Sequence, residues 1–541
     1  MIQQIIRNSI TDSQILNHIG HKKIKIKYDD FCFQVNKLMN LIVNNKTRTV
    51  ISLLAIFSVG LIFRFFYFPH ELPFPADAMD NFRYATAINY YGHLPTEWAP
   101  ANNGWPIFLS FWFSIINLEN SLQYMQLQRI ISIILSSLIM VPIYFLCRKF
   151  FDDKISLVGA ALFAFDPRII LNSLLGITEP LFILLYTSSI VIFLRYDRKG
   201  IILAFILASF STIVRSEGVF LFFTLTILFF IKFRFSKEII RVYLPSIVIF
   251  IIILIPIMSY KIEVSGNDGI FQRVVGGSGE ILSMTNQGES AKIFQGMELF
   301  VKYLGWIMLP NFLVFLPFGI MQFFRIRTKE TNFIIVFLII MSLPILYAAI
   351  AHAQDTRYFY VIYPIFCLVS LFAVKSYLSK LPRKNLVLSL MIIGILLSSI
   401  GFYEYKKIDY EKERELNEIA KIVSKIGFGF NFHPSETQYI QATEIPNKWP
   451  FVFTEEMQRI KTISPKNYET LEIFILNSRD DLTHIIVDDN PDLPKFLQDV
   501  YYNEKKYEYL NKVFDSKDSG FKHQVKLFEI DFQKFDSISK K

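Results

Sequence analysis

The chain has 541 residues, of which 52% are hydrophobic and 19% charged, and 55 of them are phenylalanine. One soluble core cannot enclose that much apolar surface, so the composition excludes a single soluble domain and indicates that most of the chain faces lipid. The formal net charge of +9 does not indicate nucleic-acid binding, because the basic residues follow the ends of apolar runs instead of forming one stripe. The scattered cysteines Cys32, Cys147 and Cys367 indicate neither a disulfide framework nor a thiolate metal site.

Apolar runs of bilayer-crossing length follow a polar and basic segment. Residues 1–48 lack the short apolar core of a cleavable signal and are predicted to be a cytoplasmic arm. The runs beyond it predict about eleven transmembrane helices. These are residues 49–68, 125–147, 155–170, 180–194, 200–214, 218–231, 242–260, 300–324, 332–350, 359–377 and 385–402.

Lysine and arginine are distributed unequally between the two sets of loops. The loops of one set each carry several basic residues, whereas the opposite loops carry mostly single arginines. This bias predicts a cytoplasmic N-terminus and an outer C-terminus. Two outer loops are long, residues 69–124 and 261–299. The first contains an apolar stretch, residues 105–116, that is too short to cross and is predicted to lie in the interface; the second is either a mobile closure or a disordered connector.

The composition becomes charged and aromatic after residue 403. An exposed helix is predicted at residues 409–425 and another at 493–509, with strands at 473–476, 484–487 and 525–530. The predicted fold is therefore mainly α: a polytopic membrane helical bundle over residues 49–403, followed by a small extracytoplasmic C-terminal α/β domain over residues 404–541.

The first outer loop opens with two acids and a tyrosine. If residues 75–85 form a helix, Asp77, Asp80 and Tyr84 lie on one face at spacings of three and four residues. A carboxylate in such a partly desolvated place can act as a general base or bind a cation. Helix capping with ordinary solvation is the alternative.

Glu179 begins an otherwise apolar span, where its charge meets the positive end of a helix and stays close to water. A helix cap explains this position as well as a catalytic role does.

Two arginines lie at the outer ends of predicted spans: Arg215, beside Glu217, and Arg357, between His352 and Pro364 and next to Tyr358. An arginine at membrane depth is a functional candidate, above all for phosphate, which its planar fork binds bidentately. The alternatives are an ion pair between Arg215 and Glu217 and a snorkelling anchor at Arg357.

Together these features resemble the membrane-embedded type C glycosyltransferases, the superfamily of protein O-mannosyltransferases and lipid A aminoarabinose transferases that use polyprenyl-phosphate sugars. The resemblance extends over residues 49–377. It is carried by Asp80-Asn81-Phe82-Arg83-Tyr84, the proline-containing stretch around Trp105 and Pro106, Thr178-Glu179, residues 215–218, and Arg357-Tyr358 followed by Pro364.

The sequence departs from the family pattern at three places. Asn81 replaces the second acid of the acidic pair, and the basic residue before Pro106 is absent, a charge that Arg215 can supply. The C-terminal region has only Trp449 where oligosaccharyltransferases carry a Trp-Trp-Asp motif. Transfer of a whole glycan to asparagine is therefore not expected.

The resemblance implies transfer of one sugar, with inversion, from a polyprenyl-phosphate donor of the dolichyl-phosphate type to a hydroxyl of a glycan, lipid or protein on the outer face. Asp80 would take the proton of the acceptor hydroxyl, and Asp77 or Glu179 would orient the sugar or hold a divalent cation. Donor-phosphate contacts are expected from Arg215, Arg357 and His352, and substrate contacts from Glu179, Tyr84, Trp105 and Tyr358.

A transporter or lipid flippase is the competing interpretation, because it too places isolated charges within an apolar bundle. It predicts paired charges near the bilayer centre and two related halves. In this sequence the charges gather at the outer ends of the spans, which favours the enzyme.

Overall fold

The computed structural model describes residues 47–74, 76–196, 198–233, 237–272, 276, 290–326, 331–351, 355–407, 410–447, 449, 451–452 and 458–539. His352 and residues 273–275 and 277–289 of the second outer loop lie outside these residues. The contacts divide the chain into Met1–Ala55, of which residues 47–55 are described and helical, and Ile56–Lys541, which contains all the other elements.

The chain is a multi-pass membrane protein, and six of its described helices are long and apolar enough to cross a bilayer. Two further pairs of helices raise this number to eight if each bent pair is one span. The six are α1 (Thr47–Phe66), the continuous pair α4 (Ser121–Leu138) and α5 (Met140–Cys147), α11 (Lys237–Ser265), α14 (Thr331–Ile350), the 3₁₀ helix Thr356–Ile362 continued by α15 (Tyr363–Lys380), and α16 (Lys384–Lys406).

The bent pairs correct two predicted straight spans. Helix α6 (Asp153–Ala164) turns by 49° into α7 (Pro167–Leu174), where the side chain of Asp166 caps the second helix by accepting from the N–H groups of Arg168 and Ile169. The predicted span 300–324 is instead α12 (Ser290–Ile307) and α13 (Phe312–Arg325), bent by 111°. Pro310 lies in this break and has no N–H with which to continue a helix.

Three predicted spans form helices of 17 residues or fewer, and the predicted count of about eleven is not confirmed. They are α8 (Glu179–Arg195), α9 (Arg198–Val214) and α10 (Gly218–Phe233). At 1.5 Å per residue, 17 residues extend only about 25 Å, somewhat less than the hydrocarbon core of a bilayer.

The first outer loop contains α2 (Ala76–Tyr91) and α3 (Gly104–Ile115), so the apolar stretch predicted for the interface is a helix. Gly104 at the start of α3 approaches α9 so closely that an added Cβ would lie 2.7 Å from Val214 Cα. This approach brings the loop before α3 next to residues 215–217.

The C-terminal region forms a small α/β domain, which begins with α17 (Glu411–Ile426). Its sheet has the order β2-β1-β3-β5-β4, in which β1 pairs in parallel with β2 and β3, and β5 pairs antiparallel with β3 and β4. The strands are β1 (Gly429–Asn431), β2 (Lys461–Ile463), β3 (His484–Val487), β4 (Leu510–Asp515) and β5 (Lys526–Ile530), and the remaining helices are α18 (Thr437–Ala442), α19 (Leu471–Asn477), α20 (Lys495–Tyr502) and α21 (Phe532–Ser539).

The strand predicted at residues 473–476 is wrong, because this segment belongs to α19. Thr470 caps that helix by accepting from the N–H of Ile473, and Leu471, Phe474 and Ile475 are buried at helical spacing. The predicted helix at residues 493–509 ends early, at Tyr502. Strands at residues 484–487 and near 525–530 are as predicted.

The C-terminal domain packs directly on the first outer loop. Leu72 of that loop is buried in the same apolar cluster as Leu416, Ile419 and Val423 of α17. Trp449 stacks on Tyr124 at the start of α4, with ring centroids 3.6 Å apart. The domain and the first outer loop therefore lie on the same side of the membrane helices.

Candidate active site

A cavity of about 430 Å³ lies between the first outer loop and the ends of several membrane helices. Six of the nine predicted site residues line it, although they come from distant parts of the sequence. They are Asp77, Asp80, Glu179, Arg215, Arg357 and Tyr358. The loop at residues 98–102 and Glu217 complete the wall, and we call this space the acidic cavity.

Asp80 projects from α2 into the acidic cavity. Among the described residues, no hydrogen bond or ion pair engages its carboxylate. The surrounding protein raises the pKa of Asp80 above its usual value by desolvation; the positive charge of Arg83 opposes this shift and the negative charge of Asp77 adds to it. A carboxylate with these properties is suited to accept a proton.

Arg215 is held between two carboxylates in the loop between α9 and α10. Its Nη1 donates to Glu179 Oε1 at 2.6 Å and its Nη2 to Glu217 Oε1 at 2.7 Å. Nη1 also lies 3.3 Å from the hydroxyl oxygen of Thr178. These two acids raise the pKa of Arg215 against the opposing effect of burial, so the guanidinium is permanently charged. Glu179 and Arg215, predicted separately, form one network.

Arg357 lies in the 3₁₀ helix, whose first turn is capped by the Asp355 side chain accepting from the Arg357 N–H at 2.8 Å. Its guanidinium pairs with Asp355 through Nε, and Nη2 donates to Asp77 Oδ2 at 2.8 Å. Asp77 precedes Arg357 by 280 residues, so this ion pair joins α2 to a 3₁₀ helix that is distant in the sequence.

The charge balance of the acidic cavity does not suit a phosphate in this conformation. Its wall contains four carboxylates, of Asp77, Asp80, Glu179 and Glu217, against the two guanidinium groups. Both arginines already have acidic partners. Hydroxyl groups of a sugar or of an acceptor fit this polar wall better than an anion does.

A second cavity, of about 930 Å³, adjoins the acidic cavity and reaches the C-terminal domain. Asp77, Ile177 and Arg357 line both spaces. The cationic side chains of the second cavity outnumber its carboxylates. They are Arg129, Arg168, Arg357 and Lys406, against Asp77, Asp355 and Glu413.

Arg168 is a candidate anion-binding residue of the second cavity. It is buried, and its guanidinium carbon lies 4.8 Å from the centre of the Phe402 ring and 5.3 Å from that of Trp306. Nη1 donates to the carbonyl of Leu309, whereas Nη2 has no hydrogen-bond partner among the described residues. Arg129 differs, because its three nitrogens donate to the carbonyls of Leu174, Leu72 and Pro73.

Tyr84 and Trp105, predicted to contact substrate, do not line either cavity. Both are fully buried. The Tyr84 hydroxyl lies 2.6 Å from that of Tyr260, and Trp105 Nε1 donates to the carbonyl of Gly176 at 3.0 Å. They hold the first outer loop in place. His352 lies outside the described residues.

Sequence reasoning missed Arg168 and Lys406. Arg168 falls within the predicted span 155–170, and Lys406 lies beyond the predicted end of the last span at residue 402. The bend at Asp166 and the extension of α16 to Lys406 place both beside the second cavity. An arginine directly after an Asp-Pro helix start was the one signal that could have indicated this position.

Asp77 and Glu179 do not fit the divalent cation considered for them. Each is paired with an arginine, and together with Asp80 they form no group of three closely spaced ligands among the described residues. Hard cations require several convergent oxygens. The chemistry below therefore uses side chains alone.

Known proteins resemble this chain in sequence and in structure. Residues 108–260 match the family of dolichyl-phosphate-mannose-protein mannosyltransferases, and no curated protein matches the chain. The Archaeoglobus fulgidus oligosaccharyltransferase is similar in structure, with 12% identity and a TM-score of 0.54 over 86% of this chain and 71% of that one.

Two structures with bound lipid phosphates are also similar. AglB from Archaeoglobus fulgidus, in complex with an inhibitory peptide and a dolichol-phosphate, has 12% identity and a TM-score of 0.51 over 87% of this chain and 73% of that one. ArnT from Cupriavidus metallidurans, bound to undecaprenyl phosphate, has 9% identity and a TM-score of 0.50 over 88% and 97%. The resemblance to type C glycosyltransferases predicted from the sequence is thus confirmed.

Proposed function

We propose that this protein transfers a single sugar from a polyprenyl-phosphate donor to a hydroxyl acceptor. The observation that carries the proposal is the arrangement of Asp80 and Arg357 in the acidic cavity. Asp80 has a carboxylate without a partner among the described residues, and the Arg357 guanidinium lines both this cavity and the more cationic second cavity. The similar structures of AglB and ArnT bind dolichol-phosphate and undecaprenyl phosphate, which supports a donor of this kind.

In this proposal Asp80 is the general base. The acceptor hydroxyl gives its proton to the Asp80 carboxylate while its oxygen forms a bond to the anomeric carbon of the sugar. The bond between that carbon and the phosphate oxygen breaks, and its electron pair leaves with the polyprenyl phosphate. Attack and departure occur on opposite faces, so the configuration inverts. Base catalysis of this kind contributes typically about 10²- to 10⁴-fold.

The donor phosphate is proposed to lie in the second cavity, between Arg168 and Arg357. The leaving phosphate gains negative charge in the transition state, and charge-assisted hydrogen bonds from guanidinium groups stabilise it. The sugar would extend past Arg357 into the acidic cavity, where Glu179 and Tyr358 are within reach of its hydroxyls. Arg215 then acts by holding Glu179 rather than by binding phosphate.

We also propose that the site and the C-terminal domain face outward. The Lys- and Arg-rich loops are opposite the first outer loop, and cytoplasmic loops carry such an excess. The burial of Leu72 within the C-terminal domain supports a common side for that domain and the loop.

The test is transfer of label from a radiolabelled polyprenyl-phosphate hexose or pentose by the purified protein, in the presence of membrane extract. We expect Asp80→Asn to lower the rate at least about 10²-fold while donor binding is kept. Glu119→Gln, an exposed acid of the same loop, is the matched control and should leave the rate unchanged. Wild-type protein that transfers no sugar from any donor would favour the transporter, and an Asp80→Asn variant with the normal rate would remove Asp80 as base.

A further inference from the structure

A group of buried titratable side chains lies in the C-terminal domain. The proposed sugar transfer does not use these side chains. The side chains of His433, Glu436 and Asp488 are fully buried. One ligand atom from each lies within 4.8 Å of the others. Such burial of two carboxylates around one imidazole costs free energy unless their charge is compensated.

The topology of the sheet brings these residues together. His433 follows the carboxyl end of β1 and Asp488 follows that of β3, and these two strands are parallel neighbours. The chain leaves β1 toward β2 on one side and reaches β3 on the other, so the pair forms a topological switch point. Crevices at such points are where open α/β sheets bind ligands.

The two carboxylates contact the imidazole at different nitrogens, and a second histidine contacts one of them. His433 Nδ1 contacts Glu436, and His433 Nε2 lies 3.0 Å from Asp488 Oδ1. The other carboxylate oxygen, Asp488 Oδ2, lies 3.2 Å from His523 Nε2. A hydrogen-bonded partner of this kind fixes the orientation of a ligating carboxylate.

Three polar atoms of the group are unsatisfied. Neither Nε2 of His433 nor either carboxylate oxygen of Glu436 has a hydrogen-bond partner among the residues that the structure describes. Although Nε2 is close to Asp488, its N–H direction does not make a hydrogen bond there. Buried polar atoms without a partner require an explanation, and an ion is one of the usual ones.

We propose that His433, Glu436 and Asp488 bind one divalent transition-metal ion, with zinc as the best fit. One imidazole and two carboxylates are a ligand set that zinc accepts, with a fourth position open for water. A neutral His433 with two carboxylates and a divalent ion has no net charge. An imidazolium at His433 with the same two acids leaves one negative charge, which only a charged His523 would neutralise.

The metal would stabilise the wall of the second cavity. The segment between β1 and α18 contains Phe432, His433 and Pro434, all of which line that cavity. Binding would tie this segment to the end of β3. Because metal affinity for the folded chain adds to its stability, removal of the ion should lower the melting temperature.

The test is the metal content of the full-length protein, purified in detergent and dialysed against metal-free buffer. We expect about one zinc ion per chain, measured by mass spectrometry of the elements. After removal by a chelator, added Zn²⁺ should restore the melting temperature, and added Co²⁺ should give the absorption bands of a low-coordinate site. Asp488→Asn and Glu436→Gln should lose the ion, whereas Asp492→Asn, an exposed acid after β3, should keep it.

Two outcomes would overturn the proposal. Stripped wild-type protein that stays folded but takes up neither Zn²⁺ nor Co²⁺ would show that His433 is an imidazolium paired with the two acids. Loss of the ion in Asp80→Asn together with its retention in Asp488→Asn would assign the metal to the acidic cavity instead. Uptake by the wild-type protein does not depend on the folding of any variant.

Discussion

At the scale of single residues, the raised pKa of Asp80 has a consequence for the pH dependence of transfer. The base must be ionised to take a proton. The value of kcat/KM should therefore be at its maximum at neutral pH and should fall as the pH drops through the pKa of Asp80. Because desolvation raises that pKa, the fall should begin above the value of about 3.9 of an ordinary aspartate. The measurement is the pH profile of kcat/KM with labelled donor.

Arg83 provides a check on this assignment, because its charge opposes the shift of the Asp80 pKa. In Arg83→Gln the acid limb should move to higher pH. A limb that stays in place in that variant would mean that another group controls the profile.

Arg168 is the residue through which the donor site can be tested separately from the base. Arg168→Gln removes the guanidinium charge, including the Nη2 group that has no partner in the described part of the chain. The KM for the lipid donor should therefore rise about tenfold or more, with little change in the KM for the acceptor. Arg129→Gln is the contrasting variant. Each of the three nitrogens of Arg129 donates to a backbone carbonyl, so loss of this side chain should lower the melting temperature instead. Equal changes in both KM values for Arg168→Gln would contradict donor binding in the second cavity.

At the scale of elements, the turn before α8 positions Glu179 and depends on a glycine. Gly176 has a φ of +74°, and an added Cβ would lie 2.8 Å from Phe74 Cε1. Its carbonyl accepts from Trp105 and from Gln128 at 2.7 Å, so the turn also anchors the first outer loop.

Gly176→Ala should therefore lower both stability and transfer rate. The left-handed backbone alone costs about 1–2 kcal/mol for an alanine, and the contact with Phe74 adds to it. The measurements are the melting temperature and the rate of transfer. Gly92→Ala is the matched control, because Gly92 has a φ of +72° with open space around it; an equal effect in both variants would exclude a role for the contact.

The elements also show how far sequence patterns reach. Apolar runs indicated where the membrane helices lie. Their charged residues at the predicted outer ends include Asp80, Glu179, Arg215 and Arg357, and the structure brings these four into one cavity. Runs of hydropathy do not report bends, so the break at Pro310 was missed. The cluster of His433 and Asp488 was missed for another reason. These two residues are brought together only by the parallel pairing of β1 and β3, which no local sequence pattern reveals.

At the scale of the whole molecule, the proposed orientation can be tested with two matched substitutions. Ser519→Cys lies on an exposed turn of the C-terminal domain, and Ser379→Cys lies at the exposed end of α15, next to a basic loop. In intact cells an impermeant thiol reagent should label the first and not the second. Protein without either substitution measures the background from the natural cysteines. The opposite labelling would place the candidate site in the cytoplasm.

The burial of Leu72 in the C-terminal domain imposes an order on biosynthesis. This leucine leaves the ribosome more than 300 residues before the α17 side chains that enclose it. While the bundle is being inserted, the first loop therefore carries an apolar residue without its covering. The loop can bury this leucine only after α17 has been translated. A ribosome that stops short of α17 would release a chain whose membrane helices are present but whose cavity wall has not yet closed.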